Sequence, residues 1–156
     1  FEIRNLAQSK TVHLIFEKEG FMTQELPITI HRKKMSRVFR MTPLSKFVNG
    51  YDIFLGKRDP EKAILFATLL KQGQPLSKAI VVTDEAEKVV YERAEGKFSL
   101  PDAGLYSTSE NGRIILWNVN PGKIKLNIYR DGKLVAIPSI KLFPGMMHVL
   151  DIHTQK

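Results

Sequence analysis

The stretch TSENGRIILWNVNPG (108–122), continued by KIKLNIYRDG (123–132), decides the fold. Asn111-Gly112 supplies the positive φ that a tight turn between strands requires. After it, Ile114 and Leu116 alternate with their neighbours, the period of a strand that buries one face. Asn118 ends the strand, where an amide side chain can bond the backbone of the following turn. Pro121-Gly122 then turns the chain, and Ile124, Leu126 and Ile128 restart the alternation up to Asp131-Gly132. None of these residues needs a ligand to explain it.

The same pattern extends in both directions. Val12–Phe16, Ile28–Ile30, Ala79–Thr83, Lys88–Tyr91 and Met147–Ile152 are short and rich in Val, Ile, Leu and aromatics, with Gln72-Gly73 and Pro144-Gly145 as further turns. Short strands at this spacing predict an all-β sandwich or barrel. Pro60–Leu70 fits a helical turn and a buried strand equally well. The 156 residues are 43% apolar and 26% charged, which suits one ordinary domain and excludes wholesale disorder. The longest apolar run falls far short of the roughly 20 residues that span a bilayer. With no Cys, disulfides, thiolate metal sites and cysteine nucleophiles are excluded. The net charge of +8 favours anionic partners weakly. No signal peptide is evident and the first residue is Phe1, as expected for a piece of something longer.

An internal repeat organises the chain. FEIRNL (1–6) matches IILWNV (114–119), and VHLIFEKEG (12–20) matches IKLNIYRDG (124–132), with Gly20 answering Gly132 and Pro27 answering Pro138. Residues 1–41 therefore read as the C-terminal half of a first unit, with about three strands. Residues 42–62, containing Pro43, Asn49-Gly50, Gly56 and Pro60, read as a connector, and 63–156 as a complete unit expected to fold without 1–41. A split sandwich cannot bury its inner face. Upstream residues, the second unit or another chain must complete it, and the sequence leaves all three open.

The ordered elements GQPLSKAIVVTD (73–84), TSENGRIILWNVNPG and KIKLNIYRDG resemble the carboxypeptidase regulatory-like domain. That family has a transthyretin-like β-sandwich of Greek-key type. The resemblance covers about residues 63–152, with 1–41 as the tail of a preceding copy. The longer middle, EKVVYERAEGKFSLPDAGLYS (87–107), departs from the pattern. The resemblance implies a non-catalytic accessory module of an exported protein, in the periplasm, outer membrane or cell surface of a bacterium. A carbohydrate-binding module is the alternative. A fragment of a larger enzyme, with its catalytic residues elsewhere, is a third reading.

No catalytic constellation is legible. His148-x-x-Asp151-x-His153 suggests a metal site, but on a strand Asp151 and His153 share one face and His148 takes the other. These positions read as solvated polar residues, and no metal or cofactor is expected. No GxSxG turn or phosphate loop appears. The acids Asp84, Glu85, Glu87, Glu92 and Glu95, interspersed with Lys88, Arg93 and Lys97, read as a hairpin surface.

Two surface features suggest partners. In HRKKMSRVFR (31–40), Arg32, Lys33, Lys34, Arg37 and Arg40 form a candidate patch for anionic envelope surfaces or glycans. The same residues could instead protect an edge strand. Nucleic acid is unlikely, because no stacking platform accompanies them. The second feature is a disagreement between the copies: Ile115 and Trp117 stand where the first has Glu2 and Arg4. Burying that apolar pair is worth roughly 3–5 kcal/mol. Ile115 and Trp117 are therefore the candidate docking surface, either for a protein partner or glycan, or for the connector residues Phe47, Tyr51, Ile53 and Phe54.

Overall fold

The computed structural model describes residues 11–29, 40–46, 50–95, 98–102 and 104–154. Strand takes 57% of these and helix 7%, so the chain is all-β. In order, the elements are β1 (Thr11–Phe16), β2 (Gln24–Thr29), the short helices α1 (Leu44–Lys46) and α2 (Asp52–Leu55), and β3 (Ala63–Lys71). Next come β4 (Gln74–Pro75), β5 (Ala79–Val82), β6 (Ala86–Glu95), β7 (Phe98–Asp102) and β8 (Arg113–Val119). The last are β9 (Gly122–Lys125), β10 (Asn127–Arg130), β11 (Lys133–Ala136), β12 (Ser139–Leu142) and β13 (Met147–Thr154). The large sheet runs β1-β2-β13-β3-β8-β6-β7, with β4 beside β3. Two smaller sheets, β11-β10-β5 and β12-β9, form a second layer.

One core joins the layers. Ala63, Leu65, Ala67 and Leu69 of β3 and Ile114, Leu116 and Val119 of β8 meet Ala79, Val81, Ile124, Ile128 and Leu142 from the small sheets. The alternate residues Ile64, Ile115 and Trp117 are buried on the opposite face of the large sheet. A strand covered on both sides reads as an unbroken apolar run. That is why Pro60–Leu70 carried no clear period; from Ala63 onward it forms β3. On β8, Ala63 pairs with Val119 and Leu65 with Leu116, a bulge that includes Asn118 at φ 49°. The extra residue returns Val119 to the interlayer core.

Two local features differ from the sequence expectation. Ile124–Tyr129 is not a single strand: it breaks at Leu126 into β9 and β10, which belong to different sheets. The Leu126 side chain is fully buried, and its N–H donates to the Pro138 carbonyl at 3.2 Å. The long middle segment folds as the hairpin β6–β7. At the turn before β8, Gly112 has φ 66°, and a Cβ there would lie 2.7 Å from the Leu69 carbonyl and 2.9 Å from the Leu76 nitrogen. Only glycine fits that approach.

Between residues 11 and 29 the chain forms an antiparallel hairpin, β1–β2. It extends the large sheet, because β2 runs parallel to β13 at Gln24–Met147 and Glu25–His148. The FEIRNL copy lies outside the described residues, as do Arg32, Lys33, Lys34, Arg37 and Phe47.

Candidate functional site

Ile115 and Trp117 lie beneath the chain that precedes β3. Trp117 is 0% exposed, and its indole N–H donates to the Gly56 carbonyl at 3.1 Å. The Tyr51 ring stacks on it with centroids 6.5 Å apart, while Phe66 meets Tyr51 edge-on at 5.5 Å. Met22 and Leu55 complete this second core with Ile64, Ile115 and Met147. Residues 51–59 thus form a strap across the outer face of the sheet, and its backbone is held by side chains below. Asn118 donates to the Lys57 carbonyl at 3.1 Å and accepts from the Asp59 N–H at 2.9 Å. Lys88 donates to the Leu55 carbonyl. Asn118 therefore bonds the strap and not the turn that follows it, a correction to the sequence reading. Of the connector residues named from the sequence, Tyr51 covers Trp117, whereas Ile53 and Phe54 stay 78% and 51% exposed. The docking pair is therefore closed to any outside partner by the chain itself.

Beside the strap, the same face carries an open groove of about 790 Å³. Gln24, Tyr51, Phe66, Glu92, Arg113 and Asp151 line it among others, with Arg40 at its margin. The Glu92 side chain is only 5% exposed, and the Arg113 guanidinium stands 3.9 Å away, beyond hydrogen-bond reach. Burial pushes the Glu92 carboxyl above its ordinary value, and the Arg113 charge offsets part of this. Tyr51 is raised as well, first by burial and then by the Glu92 charge. A carboxyl, a guanidinium and an aromatic ring around an open groove can bind a ligand. Sequence reasoning placed Glu92 among solvated acids. Its burial follows from the strand's outer face being covered by chain some forty residues upstream.

The string His148-x-x-Asp151-x-His153 divides between faces. Asp151 and His153 are exposed and line the groove, but His148 is fully buried, which overturns its reading as solvated. It bonds Glu25 of β2, which also takes a bond from His13 of β1. Among the described residues, no group of three or more His, Asp or Glu is placed to hold a metal ion, and no helix is long and apolar enough to cross a membrane.

Fold and site define a class: a two-layer all-β chain with a strap over its large sheet and an open polar groove beside the strap. No family known from sequence and no curated protein matches the chain. Among solved structures, the Bacillus anthracis TIE protein is similar over 60% of this chain at 16% identity, with a TM-score of 0.37, and the chain spans 16% of that protein.

Proposed function

We propose that the chain is a non-catalytic β-sandwich interaction module of an exported or cell-envelope protein, making protein–protein or surface contacts. The observation that carries this reading is the open groove, with a nearly buried carboxyl and a guanidinium in its wall. The resemblance of residues 63–152 to the carboxypeptidase regulatory-like domain supports it, and with it come the Greek-key topology, the preceding partial copy and the bacterial extracytoplasmic location. A carbohydrate-binding module is the second reading. It is favoured by the Tyr51 ring lying in the same groove as Glu92, Arg113 and Asp151, since aromatic faces and planar polar groups suit sugar rings and their hydroxyls.

Arg113 and Asp151 are exposed enough to exchange without loss of the fold. A photo-crosslinker at Asp151, introduced in the native host, would join the groove to a defined envelope protein or to a neighbouring domain of the same polypeptide. Arg113→Glu should abolish that adduct while the chain stays folded, with a lowered melting temperature because Glu92 loses the charge that offsets its burial. Glycan-array binding that is lost in Arg113→Glu would select the carbohydrate reading instead. Silence in both assays would remove the groove as the functional surface.

A further inference from the structure

The hairpin β1–β2 meets the body of the large sheet along a short seam. β2 pairs with β13 at two positions, while β13 and β3 pair at eight. Under this seam Glu25 is 2% exposed and His148 is 0% exposed. His148 Nδ1 lies 2.8 Å from Glu25 Oε2, and His13 Nδ1 bonds Glu25 Oε1. The Phe143 N–H donates to His148 Nε2 at 2.9 Å, closer than the Phe143 carbonyl at 3.3 Å. That bond assigns Nε2 as acceptor, so the proton of the neutral ring sits on Nδ1 and points at the carboxylate. One carboxylate therefore accepts from an imidazole of the hairpin and from an imidazole of the body.

The titratable groups that face Glu25 are His13 from β1 and His148 from β13, and among the described residues no Lys or Arg pairs with it. On the β12 side, the Lys141 ammonium lies 5.2 Å from the centroid of Phe143, whose ring stacks on His148 at 5.9 Å, so that charge is one ring removed. We propose that Glu25 is an acid-released latch. The ionised carboxylate holds the hairpin to β13, and its protonation frees β1 and β2 while the two-layer body stays folded. A protonated carboxyl presents an O–H to one imidazole N–H and can no longer accept from both rings. The buried donor left behind then carries a desolvation cost. The body keeps its structure because no residue of β1 or β2 enters the interlayer core. Met22, buried under the strap, keeps the hairpin loop tethered, so the release is a local opening.

Burial alone would raise the Glu25 carboxyl, but the hydrogen bonds from His148 and His13 outweigh it and hold the group below its ordinary value. A depressed carboxyl contributes stability above its unfolded pKa, and that contribution is lost as pH falls through the folded value. Opening therefore belongs to acid below the ordinary carboxylate range.

Hydrogen exchange on the full chain tests the latch. In Glu25→Gln at neutral pH, amides of residues 11–16 and 24–29 should exchange roughly tenfold faster or more, while those of 63–71 and 113–119 keep their protection. In the wild type under acid titration, corrected for intrinsic exchange, hairpin protection should be lost before the fluorescence of Trp117 changes. Wild-type protection of the hairpin in Glu25→Gln would overturn the proposal. So would simultaneous loss of hairpin protection and Trp117 burial in the wild type, a measurement that decides alone if the variant does not fold.

Discussion

Single residues in this chain are constrained by what lies across from them. Gly112 needs both a positive φ and the absence of a Cβ, with backbone atoms 2.7 and 2.9 Å from where one would sit. Gly112→Ala should cost about 2–3 kcal/mol by denaturant unfolding. Gly73→Ala, where φ is 78° but nothing lies within 4 Å, should cost only about 1 kcal/mol. Equal losses would remove the steric argument. Glu92 and Glu25 have opposite linkages. The raised Glu92 carboxyl keeps its proton to higher pH when folded, so the native state loses stability as pH climbs from the ordinary carboxyl value to the raised one. Glu92→Gln removes that loss and leaves Arg113 solvated. Urea midpoints at pH 4 and pH 7 should show the variant gaining on the wild type as pH rises, by about 1 kcal/mol. A difference independent of pH would show that the carboxyl does not titrate with folding. Asn111-Gly112 was legible as a turn because its partners are adjacent in sequence. The strap partners of Asn118, Lys57 and Asp59, stand some sixty residues upstream, and no local pattern could point to them.

Elements framed by turn dipeptides were the easiest to read, and an element buried on both faces without such a frame was the hardest. β8 appeared with its bounds because Asn111-Gly112 and Pro121-Gly122 frame it. β3 did not, since Ile64 and Phe66 on one face and Leu65 and Ala67 on the other are all apolar and cancel any period. The strap was visible only as an apolar excess with no core of its own, and which of its residues turn inward depends on the tight turn of α2. Leu55 is buried there and Ile53 and Phe54 are not. Trp117 measures how far this element contributes. Trp117→Phe keeps an aromatic ring under Tyr51 but loses the bond to Gly56, and should cost about 1–2 kcal/mol. Trp117→Ala should cost about 3–5 kcal/mol. Because this is the only Trp and it is fully buried, native emission should be blue-shifted and should move to the red on unfolding. If Trp117→Ala melts like the wild type, the strap contributes nothing to stability.

At the scale of the molecule, the boundary read from the sequence at residue 63 cuts through a core. The interlayer core draws on residues from Ala63 to Ile152, which suits a unit that folds alone. The second core does not respect that boundary, because Met22 and Leu55 pack against Ile64, Ile115, Trp117 and Met147. A chain beginning at Ala63 would leave those last four side chains facing water. At about 2 kcal/mol each their exposure approaches 8 kcal/mol, an upper bound that is still comparable to the whole stability of an ordinary domain. A chain beginning at Arg40 would recover Leu44, Tyr51 and Leu55 and lose only Met22. Three chains sharing the same C-terminus therefore form a series. The full chain should melt cooperatively at the highest temperature, 40–156 cooperatively but lower, and 63–156 without a cooperative transition, with red-shifted Trp117 emission and bound hydrophobic dye. A cooperative melt of 63–156 with blue-shifted emission would show that the outer face is stable uncovered. The strap would then be an appendage of the fold and not one of its layers.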